Sequence, residues 1–273
     1  MTIEIQNLSV TYPTGMFGRG KPFQALSDVN LTIPAGSVMG IVGESGSGKS
    51  TLGRVILRIL RPSEGRITID GEDPYASEDP GFRRTVQAVF QDSGASLNPR
   101  RTVGASIREG LDIHRIGTPR ERDEKVIHLL EKVGLSAGYA TRMPHTLSGG
   151  QRQRINIARA VALEPKILVA DEPVSALDTS VQAQVLELLA DLRSSTDMTM
   201  IFISHDLSVV REICDQVAIM HRGTLVEAGD IETIFNRPRH PITQALMRDT
   251  PRLDVPLSMN PTFSYNTGLA NVA

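Results

Sequence analysis

The chain has 273 residues, 40% of them hydrophobic and 22% charged, which is the composition of a soluble globular protein large enough for one α/β domain with appendages. Its formal net charge of −2 argues against a general nucleic-acid-binding surface. Because no apolar run approaches the roughly 18 residues that a membrane span needs, and the N-terminus has no signal-peptide core, we expect a cytoplasmic chain.

The chain begins with predicted strands. Residues 1–35 have the apolar alternation of strands, interrupted by a glycine-rich segment at 13–22. A further short strand is predicted over 66–73, where Asp70 and Gly71 form a turn.

A glycine-rich loop, GESGSGKS at residues 43–50, lies between two contrasting patterns. The preceding segment, SVMGIV at 37–42, is apolar and predicts a buried strand that enters the loop. The following segment, 51–60, has apolar residues at helical spacing and predicts a helix that Pro62 stops. This order places the loop at a helix N-terminus, where the helix dipole favours negative charge.

The glycines, the lysine and the final serine of the loop each suit the binding of a phosphate group. Gly43 and Gly48 allow the backbone to curl so that successive N–H groups point inward as an anion nest. Lys49 has the side chain that reaches β- and γ-phosphates, and the Ser50 hydroxyl can ligate Mg²⁺. The loop therefore predicts a nucleoside triphosphate site.

The middle of the chain is predicted to be mostly helical. A strand over 85–92 is apolar until Gln91, and the helical stretch follows at roughly 100–163. Inside it, ERDEKVIHLLEKVG has one apolar face and is closed by Gly134.

Two fully apolar strands are predicted in the second half of the chain. The first, at 165–172, ends in Asp171 and Glu172, and the second, at 199–206, ends in His205. An amphipathic helix separates them. Apolar strands that alternate with helices predict a mainly parallel α/β sheet covered on both faces. Ligands gather at the carboxyl ends of such strands, and the glycine loop lies there too.

These strand-end side chains suit phosphoryl transfer, which needs charge neutralisation and an oriented nucleophile. Asp171 is placed to hold the Mg²⁺ shell, and Glu172 is a candidate to orient and deprotonate the attacking water. His205 is a candidate γ-phosphate contact, and Gln91 a candidate bridge between Mg²⁺ and a partner. The structural alternatives are carboxylates that solvate a strand end and a histidine with no catalytic role. Gln91 alone is a weak signal.

A second anion-binding pattern is LSGGQRQR at residues 147–154. Ser148 offers a hydroxyl, and Gly149 and Gly150 expose backbone N–H groups just before a predicted helix. One nucleotide does not need two such sites, so this motif is predicted to serve the nucleotide of a partner. The alternative is a simple helix cap with a solvated arginine-rich first turn.

The order of these motifs resembles that of ATP-binding cassette (ABC) ATPases. The resemblance covers residues 1 to about 250 and includes SALD at 175–178. It implies a P-loop NTPase fold of the RecA-like type: an α/β core with a mainly parallel sheet, an N-terminal antiparallel β subdomain and an inserted helical subdomain at about 92–163. Residues 251–273 are expected to be a C-terminal extension that is poorly structured or contacts a partner.

The resemblance also implies ATP and Mg²⁺ as cofactors and a head-to-tail pair of cassettes. Tyr12 matches the position whose ring stacks on adenine, an ordinary strand aromatic being the alternative. The implied catalytic residues are Glu172, His205, Lys49 and Gln91, and the implied metal ligands are Ser50, Gln91 and Asp171. The implied nucleotide contacts are Tyr12, Gly43, Glu44, Ser45, Gly46, Ser47, Gly48, Lys49, Ser50 and Thr51, together with Ser148, Gly149, Gly150, Gln151 and Asp178 acting on the partner's nucleotide.

Two further segments, SLNPRRTVG at 96–104 and RPRHPITQAL at 237–246, resemble the ATPase subunits of oligopeptide, dipeptide and nickel importers, and ADEPVSALDTSVQAQVL is similar to the F-type subunit. The implied partners are a second, paralogous ATPase subunit, two transmembrane permease subunits and an extracytoplasmic solute-binding protein, with no nucleic acid. The implied location is the cytoplasmic face of a bacterial inner membrane. A peptide is the expected solute. Nickel or another small solute is the alternative, and a soluble ABC ATPase acting on nucleic acid or ribosomes is a distant one.

Overall fold

The structure is a computed structural model that describes residues 1–13, 20–76, 79 and 81–249. Most of the glycine-rich segment predicted at 13–22, and the extension predicted at 251–273, lie outside the described residues. In chain order the elements are β1 (Ile3–Tyr12), β2 (Phe23–Ile33), β3 (Val38–Val42), α1 (Lys49–Ile56), β4 (Glu64–Ile69), α2 (Phe82–Thr85), β5 (Val86–Val89), α3 (Val103–Ile113), α4 (Pro119–Lys132), α5 (Gly149–Val161), β6 (Ile167–Asp171), α6 (Thr179–Ser194), β7 (Thr199–Ser204), α7 (Leu207–Ile213), β8 (Gln216–His221), β9 (Thr224–Asp230), α8 (Ile231–Asn236) and α9 (Pro241–Asp249).

A three-stranded antiparallel sheet stands at the N-terminus, in the order β2-β1-β4. Ile3 of the central strand pairs with Ile33 on one side and Ile69 on the other. The apolar residues of β1 are buried, because one face of this sheet packs against the core while the other meets solvent. The predicted N-terminal antiparallel β unit is confirmed.

The second sheet has six strands in the order β5-β6-β7-β3-β8-β9. Its pairs are parallel except for β8 and β9, which form an antiparallel hairpin. Every residue of β3 is buried, as expected for a central parallel strand covered on both faces. One face shares a core with α1 and the N-terminal sheet, and the other with the helices from α3 to α7. The mainly parallel α/β sheet is therefore confirmed.

This topology places four chain segments at one edge of the sheet. The glycine loop follows β3, Gln91 follows β5, Asp171 ends β6 and His205 follows β7. Because these strands are parallel, their carboxyl ends lie side by side. The sheet therefore gathers the predicted site.

The segment between β5 and β6 is helical, as predicted. It contains α3, α4, α5 and two short 3₁₀ turns, and α3 contacts both α4 and α5. A capping box at Thr118 and Glu121 begins α4, and Gly134, with φ +72°, follows its end. The exact limits of an inserted subdomain, about 92–163, stay a prediction.

The helix after the glycine loop is shorter than predicted. The apolar spacing indicates a helix to Leu60, whereas α1 ends at Ile56. Arg58 then adopts φ +54°, and the Tyr75 hydroxyl contacts the carbonyl oxygens of Val55 and Leu60 at 2.7 and 2.6 Å. The Arg58 N–H also bonds back to the Val55 carbonyl oxygen at 2.9 Å, so the backbone leaves the helix at this point. Burial raises the pKa of Tyr75 to about 12.

The turn between β8 and β9 is hydrogen-bonded to the glycine loop. It holds Arg222 and Gly223, both with positive φ. The Gly223 N–H donates to the Ser47 carbonyl at 2.9 Å, and the Gly223 carbonyl accepts from the Ser27 N–H at 2.8 Å. The turn therefore joins the loop to the N-terminal sheet.

Candidate nucleotide and catalytic site

Two glycines of the loop stand where a side chain has no room. A Cβ on Gly43 would lie 2.2 Å from the Met220 carbonyl oxygen, and one on Gly48 would lie 2.8 Å from the Ala25 carbonyl oxygen. Gly48 also has φ +104°, a conformation that glycine adopts without strain, and it caps α1. The backbone is thereby held in a curve whose N–H groups precede the first intrahelical bond. This cradle fits a phosphate group.

Lys49 lies folded over the loop that precedes it. Its Nζ donates to the carbonyl oxygens of Gly43 and Glu44 at 2.7 and 2.9 Å, and only 5% of the residue is exposed. Burial lowers the pKa of Lys49, and the carboxylates of Glu172 and Asp171 oppose that shift. A buried ammonium ion above a ring of N–H groups makes this pocket electropositive.

Ser50 and Asp171 meet across the loop and the sheet edge. The Ser50 hydroxyl donates to Asp171 Oδ1 at 3.1 Å. Burial raises the pKa of Asp171, the Ser50 hydrogen bond lowers it, and the Glu172 charge raises it further. Hydroxyl and carboxylate oxygens are the ligands that Mg²⁺ prefers, and such sites complete the shell with water and phosphate. Within the described part of the chain, no three His, Cys, Asp or Glu side chains are grouped as a metal site.

Glu172 is held between two side chains from neighbouring strand ends. Gln91 Nε2 donates to Glu172 Oε2 at 3.0 Å, and His205 Nδ1 lies 3.3 Å from Glu172 Oε1. The Glu172 backbone has φ +47°, in the left-handed region that few residues other than glycine adopt. The structure therefore gathers Gln91, Glu172 and His205 into one polar cluster, as their strand-end positions predicted.

Ser175 belongs to the same cluster, although the sequence did not single out its side chain. Gln91 Nε2 also lies 3.3 Å from Ser175 Oγ, and Ser175 Oγ donates to the Glu172 carbonyl at 3.1 Å. A serine three residues after a strand end carries no distinctive pattern. Its position in SALD was the signal that could have found it.

Tyr12 and Thr51 lie together at the other side of the loop. The Tyr12 hydroxyl is 3.5 Å from Thr51 Oγ1, and the ring is half-buried at the end of β1. Phe23, its partner across the β1–β2 pair, is 56% exposed. An aromatic face is thus available beside the helix that follows the glycine loop.

The second motif forms the beginning of α5. Ser148 Oγ accepts from the Gln151 N–H at 3.3 Å, and the Gln151 side chain accepts from the Ser148 N–H at 3.0 Å, which completes a capping box. Gly149 and Gly150 form the first turn, and a Cβ on Gly150 would lie 2.3 Å from Val181 Cγ1.

Asp178 caps the neighbouring helix α6. Its Oδ1 accepts from Ser180 Oγ at 2.7 Å and from the Val181 N–H at 3.1 Å. These two hydrogen bonds lower the pKa of Asp178.

The close contact between Gly150 and Val181 brings the starts of α5 and α6 together. Among the described residues, no hydrogen bond or ion pair joins Asp178 or the residues of 148–151 to the glycine loop.

The comparisons with known proteins agree with this geometry. Residues 26–175 match the family model described as ABC transporter. The chain is 46% identical over 256 residues to the oligopeptide transport ATP-binding protein AppF of Bacillus subtilis strain 168, which covers 91% of this chain and 78% of that protein. It is 47% identical over 247 residues to the dipeptide transport ATP-binding protein DppF of Haemophilus influenzae, covering 89% and 76%.

Solved structures share the fold. A dimeric post-hydrolysis state of the ATP-binding cassette MJ0796, bound to ADP and Pi, superposes with a TM-score of 0.75 at 30% identity and covers 84% of this chain and 98% of that one. In the stretches 1–13, 20–76 and 81–249, no helix has both the length and the apolarity to cross a membrane.

Proposed function

The chain belongs to the ABC transporter family as an ATP-binding and ATP-hydrolysing cassette, and from that premise we propose that it powers a bacterial importer of dipeptides or oligopeptides. The observation that carries this proposal is the set of relatives at 44–47% identity, over about nine-tenths of the chain, that are named for oligopeptide or dipeptide transport. The resemblance of 237–246 to oligopeptide, dipeptide and nickel importers is compatible with this substrate class and with its nickel alternative.

In the proposed reaction the glycine loop binds the triphosphate and Lys49 exchanges its two carbonyl partners for phosphate oxygens. Mg²⁺, when bound, neutralises phosphate charge, and Ser50, Asp171 and Gln91 are the side chains that would hold it. Glu172 orients the attacking water and accepts its proton. His205, which lies beside the Glu172 carboxylate oxygen that Gln91 does not contact, donates a hydrogen bond to the γ-phosphate.

The remaining nucleotide contacts are divided between two subunits. Tyr12 offers its ring to the adenine, and the loop residues from Gly43 to Thr51 surround the phosphates. Ser148, Gly149, Gly150, Gln151 and Asp178 act on the nucleotide of the second cassette. The lack of any bond between this set and the glycine loop in the described residues supports that division.

The proposed assembly contains a second, paralogous ATPase subunit, two transmembrane permease subunits and an external solute-binding protein. The chain lies at the cytoplasmic face of the membrane through the permeases alone. Its helical insertion at about 92–163 carries the surface that docks on them, and residues 1–250 form the whole cassette. Closure of the cassette pair on ATP drives the permeases, and hydrolysis resets them.

Uptake of a labelled dipeptide and a labelled short oligopeptide by cells of the source organism tests this proposal. Cells carrying Glu172→Gln are expected to lose uptake, and cells carrying Glu187→Gln, a matched change on the exposed face of α6, are expected to keep it. Retained uptake of both peptides in the Glu172→Gln strain contradicts the peptide assignment, and nickel is then the next solute to measure.

A further inference from the structure

Side chains of helix α5 make hydrogen bonds to the segment that follows Gln91, in addition to the capping box at the start of the helix. Asn156 Nδ2 donates to the Ser93 carbonyl at 3.1 Å, and Arg159 Nη1 donates to the Ser96 carbonyl. Asn156 and Arg159 are three residues apart on the helix, so both side chains leave the same face. Each bond joins residues 63 positions apart in the sequence.

The segment that receives these bonds is a compact turn. Asp92 Oδ1 accepts from the N–H groups of Gly94 and Ala95 at 2.9 and 2.8 Å, and the Ser96 N–H donates to the Asp92 carbonyl at 3.1 Å. Leu97, directly after the turn, is 2% exposed and belongs to the core. Residues 92–96 therefore form one hydrogen-bonded turn, and Gln91 directly precedes its first residue.

Asn156 has few other options for bonding. It is 1% exposed, and its Oδ1 is buried without a hydrogen-bond partner in the described structure. Buried polar side chains normally have partners for every group. The bond to Ser93 is thus the hydrogen bond that the structure gives the Asn156 side chain, and an apolar residue at 156 would remove it.

We propose that Asn156 and Arg159 are positioning residues that tie the placement of Gln91 to helix α5. Asn156 lies eight positions after Ser148 on one helix, about 12 Å along its axis. A movement of the α5 N-terminus is therefore transmitted through two side chains to the turn at Asp92 and from there to Gln91. The 3.0 Å bond between Gln91 and Glu172 is the end of that path.

The inference rests on the role proposed above for Gln91. Its consequence is that the contact between Gln91 and Glu172 depends on the position of α5. A nucleotide bound at Ser148 would thus influence Glu172 of the same subunit. This influence passes through α5 within one chain, in addition to any effect across the subunit interface.

The test is a double-mutant cycle on ATP hydrolysis, measured on the full chain in the complex in which it is purified from its host. Asn156→Ala is expected to lower kcat by roughly three- to tenfold and to leave the KM for ATP unchanged, because the glycine loop is built on other elements. In a Gln91→Ala background, Asn156→Ala should cause no further loss. Arg159→Lys, which keeps a donor, should retain more activity than Arg159→Ala.

Gln184→Ala is the matched control, because Gln184 is an exposed amide of α6 that is bonded to α5 through Arg154 and lies outside the binding motifs. It is expected to leave kcat unchanged. If Asn156→Ala does not fold, Asn156→Leu removes the donor and keeps the branched shape and the number of side-chain heavy atoms.

Losses that add fully in the Gln91→Ala background overturn the inference, as does a lowered melting temperature with no change in kcat. If Gln91→Ala itself leaves kcat unchanged, the proposed role of Gln91 fails, and this result is distinguishable because it does not involve α5.

Discussion

Two residues of the site, Lys49 and Asp171, carry ionisable groups whose charged forms are disfavoured by burial. The pKa of Lys49 is lowered and that of Asp171 is raised, and burial is the largest cause of both shifts. Neither shift serves the stability of the empty protein. Both groups gain from a ligand that brings opposite charge, since phosphate would compensate Lys49 and a divalent cation would compensate Asp171.

Asp171→Asn is expected to raise the melting temperature of the nucleotide-free chain at neutral pH while abolishing magnesium-dependent ATP hydrolysis. A carboxyl group whose folded-state pKa is raised lowers stability when it is ionised, and this cost disappears as the pH falls through that pKa. The gain should therefore shrink on acidification toward the ordinary value of 3.8. Thermal unfolding at several pH values measures it, with Asp191→Asn, on the exposed side of α6, as the control. A lowered melting temperature at pH 7 would contradict the argument.

Glu172→Gln is expected to slow ATP turnover by roughly 10²–10⁴, the usual contribution of a general base, without weakening ATP binding. The amide keeps a partner for Gln91 but cannot accept the proton of water. Phosphate release and nucleotide binding measure the two effects separately, and a trapped ATP-bound dimer should accumulate. Normal turnover would remove Glu172 from its proposed role.

At the level of elements, the sequence predicts best where the pattern is local. The glycine loop, the apolar strands β3, β6 and β7, and the end of α4 at Gly134 follow from spacing and turn chemistry. The end of α1 does not, because the left-handed residue that closes it is Arg58 and not a glycine, and the Tyr75 hydroxyl that contacts the Val55 carbonyl lies 20 residues away in the chain. The turn at Arg222 and Gly223 lacks the Asn-Gly signal of a tight hairpin.

The same limit applies to the site. Gln91, Glu172 and His205 could be predicted together, because parallel strands deliver their ends to one edge. The contacts of Asn156 could not, because an asparagine inside a helix gives no indication of a carbonyl group 63 residues earlier.

Gly150→Ala is expected to destabilise the packing of α5 on α6. A helical glycine is usually improved by alanine, but the added Cβ would lie 2.3 Å from Val181 Cγ1. Overpacking of this kind costs roughly 1–3 kcal/mol. Val181→Ala removes the opposing methyl group, so the double variant should recover most of the lost melting temperature. An unchanged melting temperature in Gly150→Ala alone would contradict the packing argument.

For the whole molecule, the arrangement of two separate anion sites implies a complementation pattern between subunits. Ser148→Asp keeps a good helix cap and opposes phosphate by charge, while Lys49→Ala disables the loop. With one change in this chain and the other at the equivalent position of the second cassette, the two changes should affect one ATP site and leave the other intact. Placed in the same subunit, they should affect both.

Nucleotide trapped per dimer distinguishes these arrangements, and Ser148→Asn, which keeps the cap without charge, is the control. Equal damage in the two arrangements would contradict action across the subunit interface.

The bonds that Lys49 makes to the carbonyl groups of Gly43 and Glu44, with the support of the Gly223 turn, have a kinetic meaning. The glycine loop is held in its curved form by bonds within the chain and by glycines that no other residue can replace, so the entropy of shaping it is lost during folding of the chain and not during binding. Capture of ATP then needs only a change of partners at one ammonium group. We therefore expect the association and separation of the two proposed cassettes, and not the shaping of the loop, to limit the rate of the cycle.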